Sequence, residues 1–259
     1  GEPEESTHKV LSPYLFDAGD LSDPHLVVKE ESSPINGMVR LIIGSKPIDG
    51  GHYIFDEEER AAFLEAEPGA ESLLRPFIGA REYLQGGKRW ILMLHDVSPD
   101  VLAKLPRVRE RIAAVRAYRK ARESVQTRKL AKTPTLYHVN VIPTAPFLVI
   151  PEVSSERREY APIGWLEPPT IPSNLVRILN NATLTNFALL TSAMHMAWLR
   201  HIGGRLKSDY RYSIGLVYNT FPLPPDNSNL AKLEPLAQAV LDAGLGIRMQ
   251  HWQTSTILT

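Results

Sequence analysis

RWILML at Arg89–Leu94, PDVLAKLPRVRERIAAVRAYRKARESVQTRKLAK at Pro99–Lys132 and FLVI at Phe147–Ile150 set two apolar pieces on either side of a cationic one. The apolar pieces are short, rich in β-formers and bounded by turn residues, so both read as buried strands. Between them, Pro99 and Pro106 stand near the start of a helical stretch, and Val108, Ile112, Val115 and Tyr118 recur at helical spacing. The stretch reads as a long basic helix with one apolar seam, a rod that packs by one side only. Upstream, Met38–Ile43 (MVRLII) reads as a strand after the Asn36-Gly37 turn, and Asp49-Gly50-Gly51 reads as a second turn. Asp56 with Glu59 three residues on has the form of a capping box; Ala61, Ala62 and Leu64 lie within that helix, and Pro68-Gly69 stops it.

Downstream, Pro143, Pro146, Pro151, Pro162, Pro168, Pro169 and Pro172 separate short apolar pieces, so strands and loops are expected there. Thr185 opens a helix whose Leu189, Ala193 and Met196 share a face, and Gly203-Gly204 suits a left-handed helix end. A last helix, from about Asn229 to Ala243, follows the FPLPP element. The fold class is mixed α/β (α+β), with a mixed sheet, the long basic helix and helices toward the C-terminus. There is no regular βα alternation and no repeat.

The 259 residues are 43% apolar and 22% charged, a globular composition. No run of eighteen apolar residues occurs and the start, GEPEESTHKV, is acidic, so neither a membrane span nor a secretory signal is expected. With no cysteine there is no disulfide, thiol nucleophile or thiolate metal site. Formal neutrality hides polarity: residues 1–71 hold 5 Lys/Arg against 16 Asp/Glu, whereas residues 104–132 hold 11 Lys/Arg against 2 Glu.

GxGxxG, Walker, GxSxG and HExxH motifs are all missing, and the eight His are scattered without metal-ligand spacing. His195 and His201 lie six apart, which does not align them on one helix face, and read as core or helix-end histidines. No catalytic machinery and no metal site is visible. The basic segment offers Arg116, Arg119, Lys120, Arg128 and Lys129 for phosphate contacts, although a cationic face can equally be solvated or paired with the acidic half. A second dense spot is Gly204–Thr220, GRLKSDYRYSIGLVYNT, a polar and aromatic loop after a helix end. Lys207 and Asp209 flank Ser208, so in an extended stretch they point the same way, one a donor and one an acceptor. Such a pair suits a G·C base pair, Lys donating to guanine and Asp accepting from cytosine; a local surface ion pair is the other reading.

NATLTNFALLTSAMHMAWLRHIGGRLKSDYRYSIGLVYNTFPLP, with SPYLFDAGDL, RPFIGAREYLQGGKRWIL, LAKTPTL and IPEVSSERREYAPIGWL upstream, resembles the target-recognition region of large single-chain adenine-specific DNA methyltransferases of the MmeI type, which serve restriction–modification or phage defence. The resemblance runs from about Ser12 to Ala243. It implies an α/β recognition domain set against the major groove of double-stranded DNA, with Lys207 and Asp209 at the place where relatives vary a pair that reads one base pair. Tyr210 and Arg211 join that pair as candidate base readers; Ser154, Ser155, Arg157 and Arg158 are candidate backbone contacts, with Arg75 and Arg81 as weaker ones. The family's FxGxG-like S-adenosylmethionine loop, its NPPY-like motif and its nuclease cluster do not occur here, so no methyl transfer is expected from this chain alone. The resemblance implies a C-terminal part of a longer bacterial, cytoplasmic enzyme, whose missing methyltransferase domain would hold the S-adenosylmethionine and would itself be a partner.

The expected organisation is a flexible segment at 1–11, the recognition domain at 12–225, a helix at 226–243 and an atypical tail at 244–259. Relatives continue after a helix like LAQAVLDA into something like ARxxPxATLADLYDP, whereas this chain reads GLGIRMQHWQTSTILT. Codons chosen for that tail and read one base out can give ARHPDATLADLYDPD, so a frameshift after Ala243 is expected; the gene's nucleotide sequence decides it. Two further readings are a protein-docking module, using the seam at Val108, Ile112 and Val115 against the methyltransferase domain, and an inactive remnant.

Overall fold

Phe147–Pro151 is buried along its whole length because it is covered on both faces, the state that a continuous apolar run requires. Leu148 and Ile150 join one apolar cluster while Phe147 and Val149 join another, as the two-residue period of a strand dictates. The structure is a computed structural model that describes residue 5, residues 7–223 and residues 229–243; the expectations for the tail lie outside these residues.

In chain order the elements are β1 (Ile42–Ile43), β2 (Ile54–Phe55), α1 (Glu57–Ala66), β3 (Leu74–Ile78), α2 (Ala80–Gln85), β4 (Trp90–Leu92), α3 (Pro99–Ala103), α4 (Pro106–Lys120) and α5 (Val125–Lys129). There follow β5 (Phe147–Pro151), β6 (Val153–Ser154), β7 (Gly164–Leu166), β8 (Ile171–Pro172), β9 (Val176–Asn180), α6 (Leu184–Leu190), α7 (Ala193–Ile202), β10 (Gly204–Leu206), β11 (Asp209–Arg211) and α8 (Glu234–Asp242). They build three sheets, ordered β2-β4-β3-β8, β1-β9-β5-β7 and β10-β11-β6. The first is mixed, since β3 pairs with β8 in parallel while its other pairs are antiparallel. The fold is mixed α/β, as the sequence implies.

Sheet β2-β4-β3-β8 and the helices α1 and α4 share one core, in which Val108 and Val115 are fully buried beside Phe55, Phe63 and Leu92. The predicted seam is therefore this domain's own core contact. It is not free to dock a partner, which removes the docking reading that relied on it. The long basic rod is also interrupted: α4 stops at Lys120, and α5 starts only after Ser124, whose side chain accepts from Thr127 N. The capping box of α1 forms as read, with Glu59 N donating to Asp56 Oδ1 at 2.8 Å and Asp56 N to Glu59 Oε2 at 3.2 Å.

Only Ile42–Ile43 of MVRLII pairs as a strand. Side chains from elsewhere meet the rest: Tyr218 OH donates to Val39 O at 2.6 Å and Met38 N donates to Asn36 Oδ1 at 3.0 Å. The helix expected from Thr185 is two helices, because Ser192 caps a new one by accepting from His195 N at 3.1 Å. Ala193 consequently sits exposed at a helix start, while Leu189 and Met196 are buried. Gly203 is not left-handed, having φ −66°. It is needed for space, since a Cβ there would lie 2.4 Å from Leu199 O. Gly203→Ala is expected to cost about 1–3 kcal/mol by overpacking, measurable by urea unfolding.

His195 sits fully buried under the C-terminal helices, as a core histidine. Its Nε2 lies 2.8 Å from Tyr212 OH and its ring meets Phe221 edge-on at 4.6 Å. Burial drives its pKa down to about 3, so the folded protein keeps it neutral while the unfolded chain protonates it near 6.5. The unfolded state thus binds the extra proton below pH 6.5, and folding stability falls with acidification by up to about 1.4 kcal/mol per pH unit from this group. His195→Gln is expected to flatten that acid limb in unfolding midpoints measured between pH 6.5 and 4.5.

Candidate nucleic-acid interface

β10 and β11 form a hairpin whose register pairs Leu206 with Asp209, leaving Lys207 and Ser208 as a two-residue turn. Lys207 takes φ 57°, an uncommon conformation for a side chain-bearing residue and one that tight hairpins require at the turn. The extended stretch expected across Lys207, Ser208 and Asp209 is therefore a hairpin tip. Lys207 is exposed at the turn, and Asp209 begins the returning strand with its Oδ1 accepting from Glu156 N at 3.4 Å.

Along β11 the strand period separates the candidates. Tyr210 turns inward, only 6% exposed, and Arg205 lies across its ring at 4.0 Å. Its ring packs in the core with Tyr212 and Val217, so it cannot offer itself to a base, and the polar loop read at Gly204–Thr220 is half core. Asp209 and Arg211, on alternate positions to Tyr210, face the other way, beside the Lys207 turn.

β6 pairs with β11, placing Ser154 opposite Tyr210 and Val153 opposite Arg211. Two segments about fifty residues apart in sequence thus form one surface. Ser154 is buried in this pairing and is not available as a backbone contact. Ser155 accepts from Arg157 N at 3.3 Å, which holds exposed Arg157 in the turn beyond β6. Arg200, at the end of α7, donates to Glu159 O at 3.1 Å and closes the same edge.

Glu152, between β5 and β6, ties the surface to the central sheet. Its Oε1 accepts from Arg177 Nη2 at 2.8 Å and from Arg211 Nη2 at 3.4 Å, while its backbone O accepts from Tyr212 N at 2.7 Å. Burial lowers the Arg177 pKa, and the Glu152 carboxylate opposes that shift. Arg211 is exposed apart from this contact, so its guanidinium is aimed rather than neutralised. The sequence reading missed Glu152, Arg200 and Arg205; a carboxylate directly after the apolar run FLVIP was the one available signal.

The basic helices divide as well. Arg116, Lys120, Arg128 and Lys129 are exposed on α4 and α5. Arg119 is fully buried and donates to five carbonyls, those of Pro47, Ile48, Leu130, Thr133 and Leu136, at 2.8–3.0 Å. It is a structural residue and not the phosphate contact expected of it. Arg75 donates to the carbonyls of Ser72 and Leu74, a local role, while Arg81 is exposed on α2. Among the described residues no cluster of His, Asp or Glu could hold a metal ion, and no helix is long and apolar enough to cross a membrane.

Against known proteins, the family model described as MmeI, target recognition domain, matches residues 22–225. DNA methyltransferase A of Bacillus subtilis (strain 168) is 36% identical over 214 residues, covering 83% of this chain and 24% of that protein. The solved structure of the Type IIL restriction-modification enzyme MmeI in complex with DNA aligns over 94% of this chain with a TM-score of 0.86 and 36% identity, covering 32% of that chain. The chain therefore spans about a quarter to a third of the length of these relatives.

Proposed function

The chain belongs to the MmeI target recognition domain family, and from that premise we propose that it reads a DNA site for a longer, S-adenosylmethionine-dependent adenine methyltransferase of the bacterial cytoplasm. The observation that carries this reading is the three-stranded sheet, which gathers exposed Lys207 and Arg211 and half-buried Asp209, with exposed Arg157 in the turn just beyond β6. A two-stranded ribbon with donors and an acceptor at its tip is of the size that enters a major groove. Arg116, Lys120, Arg128, Lys129 and Arg157 neutralise phosphates and fix the register, while Lys207, Asp209 and Arg211 meet base edges. Residues 12–225 form the recognition unit, and the methyltransferase domain of the parent is its second partner.

S-adenosylmethionine does not fit either of two cavities found among the described residues. One is lined by Phe16, Leu26, Met194 and Trp198, with few polar groups for its ribose and amino acid. The other is lined by Lys46, Arg89 and Arg122, whose charge opposes a sulfonium. The cofactor and the methyl transfer belong to the missing domain.

The test is binding of this chain to a pool of random duplex DNA over a salt series. Binding is expected in the non-specific range, a Kd of about 10⁻⁴ to 10⁻⁶ M at physiological salt, with log affinity falling linearly against log salt. No binding at low salt, or binding insensitive to salt, sinks the reading.

A further inference from the structure

A second polar surface is lined by none of the hairpin's residues. The α4–α5 junction, the Lys46–Asp49 loop and the turn at Ser173–Leu175 enclose a cleft of about 440 Å³. Lys46, Arg89 and Arg122 line it, with Thr127, Ser173 and Asn174. None of the readings above gives it a role.

Two of its three cations have no acid partner among the described residues. Lys46 is anchored through its backbone, its N donating to Val139 O at 2.9 Å and its O accepting from His138 N at 3.0 Å, while its side chain is exposed. Arg122 lies over the Tyr118 ring at 5.1 Å, and its carbonyl accepts from Arg128 Nη1 at 3.0 Å. Among the described residues neither Lys46 nor Arg122 has a carboxylate within ion-pair distance. Arg89 is paired with Glu82 at 2.6 Å, yet its Nε is buried without a hydrogen-bond partner. The one acid in the lining, Asp49, is buried, with its Oδ2 accepting from Tyr53 N at 2.8 Å. The turn opposite is fixed too, since Ser173 Oγ accepts from Leu175 N at 3.3 Å.

Two cations without a carboxylate partner, Lys46 and Arg122, faced by hydroxyl and amide groups, suit a phosphodiester oxyanion. We propose that this cleft grips a backbone phosphate of the bound DNA, through Lys46 and Arg122 with Thr127 and Asn174 as neutral donors. The proposal rests on the DNA-reading function above. The cleft adjoins Arg128, which donates to the Arg122 carbonyl, whereas Arg116 and Lys120 lie on the other side of α4 from Tyr118. A phosphate held there positions the duplex and carries no sequence information.

The test compares Lys46→Gln, Arg122→Gln and, as a control, Lys88→Gln, whose ammonium is already near Glu57 at 3.7 Å. All three residues lie at the surface, and thermal melting checks that folding is unchanged. The probe is the random duplex pool over the same salt series. Each cleft variant is expected to weaken binding uniformly across sequences and to lower the salt slope by about 1, whereas the control leaves it unchanged. A cleft variant with the wild-type slope, or a loss confined to particular sequences, overturns the proposal. Salt-dependent binding by the wild-type chain tests the DNA-reading function separately, so the two fail independently.

Discussion

Arg119→Met is expected to destabilise the protein by at least about 3 kcal/mol, because five carbonyls lose their donor at once and each buried unpaired acceptor costs about 1–3 kcal/mol. The guanidinium binds the loop at Pro47 and Ile48 to the segment Leu130–Leu136, which places α4 against both. Burial lowers the Arg119 pKa, with Tyr53 and Asp49 opposing that shift, so the group is held charged by dipoles and distant charges rather than by a direct carboxylate. Arg119→Lys is expected to recover only part of the loss, since an ammonium has three donors on one nitrogen and cannot reach acceptors spread around a planar fork. Urea unfolding of the three proteins checks both statements. A midpoint for Arg119→Met equal to wild type would show that the carbonyls are served by water instead. A stability near 5–15 kcal/mol, ordinary for a domain, makes such a loss large enough to see in cell extracts as reduced abundance.

The second large effect concerns base preference. Lys207→Glu combined with Asp209→Arg reverses donor and acceptor at the hairpin tip without touching the core, because Lys207 is exposed and Asp209 faces away from Tyr210. The preferred base pair at one position of the selected DNA is expected to invert from G·C to C·G, with discrimination of about 1–3 kcal/mol, roughly tenfold to a hundredfold. The salt slope should change far less, since base contacts release few counterions. Selection from the random pool, followed by sequencing of bound duplexes, reads the change directly. An unchanged preference with weakened binding would assign the pair to the phosphate backbone.

Glu152 bears on the same surface. Because its carboxylate joins Arg177 of the central sheet to Arg211 of the hairpin sheet, the position of the hairpin is coupled to the body of the domain. The strand that enters as β5 leaves as β6, so one extended segment serves both sheets.

Local chemistry was legible wherever the cause lies within a few residues. The Asp56–Glu59 capping box, the FLVI strand and the Val108–Val115 seam are each set by spacing, and each appears where the sequence puts it. The family was legible too, from segments spread over nearly the whole chain. Errors arose where one local rule competed with another or with a distant partner. MVRLII has strand character throughout, but Tyr218 and Asn36 meet the backbone at Met38–Val39 with side chains, so pairing is limited to Ile42–Ile43. Gly203 resembles a left-handed helix end, yet its lack of a side chain is needed for the close approach of Leu199 O.

The sequence by itself determined the α1 cap, the FLVI strand, the α4 seam, the polarised charge and the family, since periodicity, caps and motifs act over short separations. The tertiary structure alone decided which charged residues are available. On α4, Arg119 stands four residues beyond Val115 on the seam and points into a nest of carbonyls while Arg116 and Lys120 face solvent; the seam marks its face, but only the fold supplies the five carbonyls that bury it. It also decided that residues 152–157 and 205–211 share one edge, because strand pairing across fifty residues depends on where the intervening helices and turns bring the chain back, a long-range closure that no short stretch encodes.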